Sequence, residues 1–164
     1  LPSVRIMNTR PLLIVLSALA LSTSVNAQDC FETHALAKGL DADLLRAIAL
    51  VESSGNPNAI GKNSSSEDIG LMQINTSWLK RFNTTKKELL ENVCLNIEIG
   101  AEILSDNMKR LENPWEAVGA YNAACTRLKG ADCISARQTY AWKVYRALMS
   151  LSDAKRDKLR KVSS

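Results

Sequence analysis

Residues 41–75 read DADLLRAIALVESSGNPNAIGKNSSSEDIGLMQIN, and the reading of the whole chain turns on this stretch. Asp41 is a good helix N-cap, and Leu44, Leu45, Ile48 and Val51 follow at three- and four-residue spacing, which predicts a helix with one apolar face. Ser53, Ser54, Gly55, Asn56 and Pro57 discourage its continuation, so Glu52 falls at the helix C-terminus behind an apolar run. Partial burial disfavours the charged form of a carboxyl, and the negative end of a helix dipole acts in the same direction, so both raise its pKa. A carboxyl that keeps its proton near neutrality can serve as a general acid. By position alone, however, Glu52 is one acid among 17, and most acids are simply solvated.

Outward from this stretch, residues 54–68 are rich in Gly, Asn, Ser and Pro and read as a long polar loop. Ile69 to Ile74 is an apolar run broken only by Gly70 and Gln73, and a lone amide in such a run must find hydrogen-bond partners. Upstream, Cys30 to Lys38 predicts a short helix stopped by Gly39, with His34 on its face. Downstream, Thr85 and Glu88 make a capping box, and Cys94 to Leu111 is expected to be the longest helix. Cys94, Ile97, Ala101, Leu104, Met108 and Leu111 share a stripe there, as a scaffold helix requires. Asn113 and Pro114 stand at N-cap and N1 of the next helix, in which Trp115 and Val118 are expected to face the core and Gly119 to permit close packing. Ser135 and Gln138 are expected to cap the last helix, which carries Tyr140, Val144 and Leu148 on one stripe. From Lys155 onward KRDKLRKVSS lacks apolar periodicity and is expected to fray.

Residues 1–27 read as an address rather than as fold. Arg10 precedes the short apolar run LLIVLSALAL, and Val25, Asn26 and Ala27 form a small-residue cleavage site; residues 1–6, ahead of Met7, read as an upstream extension. The alternative is an amino-terminal membrane anchor. Cleavage after Ala27 takes 27 residues from 164 and leaves 137, enough for one domain with a core. It also removes Arg5 and Arg10 from the 21 basic residues, leaving 19 against 17 acids, a balance that argues against a nucleic-acid surface. Four cysteines, Cys30, Cys94, Cys125 and Cys133, fit an oxidising compartment and allow three pairings. No C-x-x-C pair and a single histidine speak against zinc, and no cofactor is expected. The lone His34 and the lack of a nucleophile elbow argue against a serine-type hydrolase, and no glycine-rich phosphate loop is present.

The segments ESSGNPNAIG, DIGLMQIN, AVGAYNA and TYAWKVY, in this order, resemble the lytic transglycosylase family, whose goose-type lysozyme-like domain cleaves peptidoglycan. The likeness is greatest to the small members that accompany type III and type IV secretion systems, conjugation machinery and pili. It covers Cys30 to Leu151; each motif alone is weak, and the ordered set is specific. The resemblance implies a mainly α, lysozyme-like helical domain at 28–151 with a short irregular or β-like segment, stapled by disulfides, and a basic tail at 152–164. It implies a bond between Cys30 and Cys94, and Cys125 with Cys133 would then close a short loop after the AYN motif. Ala124 and Cys125 follow Asn122 where the family usually continues AYNAG, so the turn there is unlike the family's.

The resemblance also implies the chemistry. Glu52 is the expected acid and then base at the β-1,4 bond between N-acetylmuramic acid and N-acetylglucosamine, with 1,6-anhydro ends as product. Ser53, Met72, Gln73, Tyr121, Asn122 and Tyr140 match the substrate-binding motifs. The plain alternatives are a Gln73 bonded to backbone, a buried Tyr121, a helix-capping Asn122 and a core Tyr140. Asp68, 16 residues after Glu52, is either a second catalytic carboxylate, which would open a hydrolytic outcome, or a solvated loop acid. The expected partners are glycan strands and components of a secretion, conjugation or pilus apparatus, the expected location is exported and periplasmic, and the runner-up function is a wall-binding assembly factor.

Overall fold

A computed structural model describes residues 27–125 and 128–162, so all but the last residue of the expected leader lies outside the described residues. Helix α1 (Ala27–Lys38) ends at Gly39, whose φ of 65° is left-handed backbone that costs glycine nothing. Helix α2 (Ala42–Ser53) starts where Asp41 Oδ1 accepts from the N–H groups of Asp43 and Leu44 at 2.7 and 3.0 Å. It stops because Ser54 and Gly55 both take positive φ, with the Ser54 N–H returning to Leu50. Leu45, Ala47, Ile48 and Ala49 are its buried face.

The stretch read as loop folds into a small antiparallel sheet. Strands β1 (Ile60–Lys62), β2 (Glu67–Ile69) and β3 (Ile74–Asn75) lie in the order β1-β2-β3, with Gly61 opposite Asp68 and Asp68 opposite Asn75. A 3-10 turn at Thr76–Trp78 and helix α3 (Lys86–Glu91) follow, the latter opened by the expected Thr85–Glu88 capping box. Helix α4 (Val93–Arg110) buries Ile97, Ala101 and Leu104 completely and runs through the middle of the core. Helix α5 (Pro114–Asn122) has Asn113 as N-cap and Pro114 at its first turn, as read.

Helix α6 (Gly130–Val162) differs from expectation at both ends. It begins before Ser135 and Gln138, which lie inside it rather than capping it, and at 33 residues it exceeds the 18 of α4. The basic segment expected to fray continues as helix, because Arg156 and Arg160 pair with Asp153 and Asp157 one turn back and Lys155 pairs with Asp43 of α2. Val118 is buried but Trp115 is not: it is 40 % exposed and rests on the ring of Tyr145. The buried side of α5 is centred on Ala117, Val118 and Ala120, which leaves Trp115 at its edge.

The mainly helical fold with a small sheet carries two cystines. Cys30–Cys94 ties α1 to α4 across a Cα separation of 5.4 Å, and Cys125–Cys133 ties the segment after α5 to the first turn of α6 across 5.6 Å. The second bond holds Cys125 at φ 61°, so the left-handed residue after the AYN motif is a cystine half rather than a glycine. α2 and α5 both pack on α6, and α5 approaches closely because Gly119 has no Cβ: one built there would lie 2.6 Å from the Arg137 carbonyl. Gly119→Ala is therefore expected to lower unfolding free energy by about 1–3 kcal/mol in urea titration, since the obstacle is backbone and cannot swing aside.

Candidate active site

The end of α2, the end of α5 and the first half of α6 meet at a cleft of about 260 Å³ lined by Val51, Glu52, Asn122, Ala136, Thr139, Tyr140 and Lys143. The four α6 residues recur at three- and four-residue spacing and so share a face. Glu52 is half-buried here, and Tyr140, itself in the core, donates its hydroxyl to Glu52 Oε1 at 2.5 Å. Burial pushes the Glu52 carboxyl up to about 7. The Tyr140 hydrogen bond opposes that rise, the Asp68 charge adds to it and the Lys143 ammonium offsets part of it. Burial and the neighbouring carboxylate in turn hold the Tyr140 phenol far above its ordinary range, so it stays a donor.

Asp68 sits in the middle of β2, where Asn75 and Asn63 each donate a side-chain N–H to one of its oxygens, both at 2.7 Å. It is therefore not a free loop acid, and its charge is felt by both Glu52 and Tyr121. Gly61, its partner in register, leaves room for it and for Gln73: a Cβ on Gly61 would come within 2.9 Å of Gln73 Oε1.

The remaining expected residues hold the turn at 69–75 from several sides. Gln73 takes φ 49° and gives both Nε2 hydrogens to backbone, at Gly70 (2.8 Å) and Ala59 (3.2 Å), so only its oxygen is left to meet a ligand. The Ser53 hydroxyl lies 2.8 Å from the Leu71 carbonyl and 3.0 Å from that of Ala49, and its one hydrogen serves the protein. Met72 does not line a groove: its side chain is fully buried against Gly100, where an added Cβ would stand 2.8 Å from the Met72 methyl. What Met72 presents is a carbonyl, which accepts from the Tyr121 hydroxyl at 3.0 Å. Burial raises the Tyr121 phenol well above its ordinary value, so that donor too is neutral. Of the expected set, Glu52, Asn122 and Tyr140 line the cleft, while Ser53, Met72, Gln73 and Tyr121 build the turn beside it.

Asn96 was missed. On the supposedly plain scaffold helix α4 it is completely buried, accepts from the Met72 N–H at 2.7 Å and donates to the carbonyls of Ile69 (2.9 Å) and Leu89 (3.4 Å). A Cβ at Gly70, which has φ 77°, would collide with it. The signal was present, since an amide next to Ile97 on an apolar stripe must be satisfied somewhere. Lys143 and Thr139 were also missed, though Lys143 stands three residues after Tyr140 and four after Thr139.

Residues 29–140 match the family described as Transglycosylase SLT domain. The chain is 40% identical over 153 residues to invasion protein IagB of Salmonella typhimurium (strain SL1344), covering 89% of this chain and 92% of that protein. It is 37% identical over 144 residues to a peptidoglycan-binding-like protein of Escherichia coli O157:H7, over 81% of this chain and 84% of that one. With protein IpgF of Shigella flexneri it shares 31% identity over 138 residues, 82% and 88% of the two chains.

Two outcomes follow from the balance at Glu52. Tyr140→Phe removes a donor to the charged form, so the Glu52 carboxyl, followed by carbon-13 NMR, should titrate above about 7. A carboxyl raised in the folded state stabilises while protonated, below the unfolded value of 4.5, and loses that contribution as pH rises through about 7. Glu52→Gln should thus melt higher than the parent at pH 8, by on the order of 1–3 kcal/mol, and the difference should shrink toward pH 4.

Proposed function

Because the chain belongs to the transglycosylase SLT-domain family, and is thus a peptidoglycan lytic transglycosylase, we propose that Glu52 is both the acid and the base of its reaction. The observation that carries this is the carboxyl at the cleft with a pKa of about 7, a value at which one group both gives and takes a proton near neutrality. Protonated Glu52 gives its proton to the oxygen of the β-1,4 bond between N-acetylmuramic acid and N-acetylglucosamine. The C1–O bond breaks, the leaving sugar departs with that proton as a hydroxyl, and C1 becomes oxocarbenium-like. The substrate's acetamido oxygen shares the positive charge, so no protein nucleophile is required. Glu52, now a carboxylate, takes the proton of the C6 hydroxyl as O6 closes on C1. The product is a 1,6-anhydro ring, no water is consumed, and Glu52 ends protonated as it began.

Tyr140 aims the acid, and Asn122 meets the sugar at the scissile bond. Asp68 faces the developing cation with its charge and helps to keep the Glu52 proton in place. Its fixed carboxylate also supports a second reading, in which a water positioned there attacks C1 and leaves a reducing end. The setting is a secretion-associated one, as the likeness to a Salmonella invasion protein supports, and the enzyme opens the wall locally for an envelope-spanning apparatus. Two cystines and a wall substrate agree with export to the periplasm.

Purified protein is expected to release muropeptides from sacculi, with the rate falling as pH rises above 7. Glu52→Gln should lower release at least about a hundredfold while the fold is retained. Anhydro ends are lighter than reducing ends by one water, so mass spectrometry separates the two readings. Undiminished release by Glu52→Gln removes the glutamate from the mechanism.

A further inference from the structure

A second, larger groove of about 620 Å³ lies between the start of α5 and α6. At about 100° per residue, Gln138, Trp142 and Tyr145 of this groove fall on the face of α6 opposite Ala136, Tyr140 and Lys143 of the cleft. Three rings form its apolar wall: Tyr145 stands edge-on to Trp115 at 5.6 Å and to Trp142 at 5.4 Å. Trp142 is 63 % exposed, although the helix it sits on has a fully packed side available. The amides of Asn113 and Gln138 and the Glu116–Arg137 ion pair, closed at 2.7 Å, rim the wall. None of these groups takes part in the reaction above.

The geometry points to this groove as a non-catalytic binding site for the amino-sugar backbone of a glycan strand. Pyranose rings offer flat C–H faces that lie on indole and phenol rings, with hydroxyl and acetamido groups at the edge for amides and charged rims to bond. A concave site of ligand size, mostly apolar with a few convergent polar groups, suits such a ligand. A membrane surface would call for a convex face instead. The catalytic cleft, at about 260 Å³, is the smaller of the two depressions. A strand seated across α6, roughly 10 Å away, would keep the enzyme on a polymer between turnovers. The inference rests on peptidoglycan being the substrate.

The test uses sedimentation with purified sacculi in the Glu52→Gln background, where nothing is cut and binding is read apart from turnover. Trp142→Ala should weaken binding roughly tenfold and Trp142→Phe should restore most of it. With a tetramer of N-acetylglucosamine as probe, the indole N–H signals of Trp115 and Trp142 should shift while that of Trp78, packed on Phe82 and Arg81, stays. With Glu52 intact, Trp142→Ala should cut short soluble glycans at the parental rate and sacculi several-fold more slowly. Undiminished sedimentation of Trp142→Ala, or unshifted Trp115 and Trp142 signals, overturns the proposal. So does a Trp142→Ala defect confined to binding of anionic lipid vesicles. Failure of the parent protein to release any muropeptide would instead count against the catalytic reading, which the sedimentation result does not touch.

Discussion

The hydrogen bond from Tyr140 to Glu52 joins residues 88 apart in sequence and fixes α2 against α6 at the point where chemistry is possible. Burial acts to keep the carboxyl protonated, and the bonded donor acts to keep it charged. Acting together, with Asp68 and Lys143 pulling in opposite senses, they hold it close to indifference. The rest of the fold serves that balance. Ser54 and Gly55 end α2 within three residues of Glu52, and the bare Gly119 lets α5 sink onto α6 so that Asn122 reaches the same cleft.

A second constraint is the turn between β2 and β3. Its backbone is gripped by side chains from three helices: Ser53 of α2 reaches Leu71, Asn96 of α4 takes Ile69 and Met72, and Tyr121 of α5 bonds Met72. Gln73 closes the same turn from within. Helix side chains and Gln73 together satisfy the carbonyls and N–H groups of this turn, so removal of one partner leaves a buried polar group of the turn unbonded. Ser53, Gln73 and Tyr121, which the motif pattern linked to sugar, each bond backbone of this segment.

What could be read from the sequence was what is local. Asp41, the Thr85–Glu88 pair, Asn113 with Pro114, and the helix end at Ser53 are set by bonds within three or four residues, and all stand as read. The family pattern added the two cystines. The resemblance implied a β-like segment, but where its strands lie and how they pair could not be read from residues 54–68, because strands of two and three residues show no alternation and Asp68, Asn63 and Asn75 meet across them. The length of α6 escaped because its last turns are secured by Lys155 reaching Asp43, a partner 112 residues away. Trp115 and Met72 were misread for a related reason: which side of an apolar residue faces protein depends on the neighbour, and Gly100 made a pocket for Met72 while Trp115 is covered only in part, by the Tyr145 ring among others.

One consequence concerns how the molecule meets its substrate. From Arg137 to Lys161, α6 carries eight basic residues and two acids. The remaining chain, apart from Arg5 and Arg10, which lie outside the described residues, has 11 basic residues against 15 acids. The modest net charge of +4 is thus unevenly placed, and the positive side is the helix that walls both depressions. An anionic wall polymer drifting nearby feels a torque before any contact, and arrives working side first. Capture should then be quick in dilute buffer and sluggish in brine, even if cutting, once begun, proceeds at the same pace.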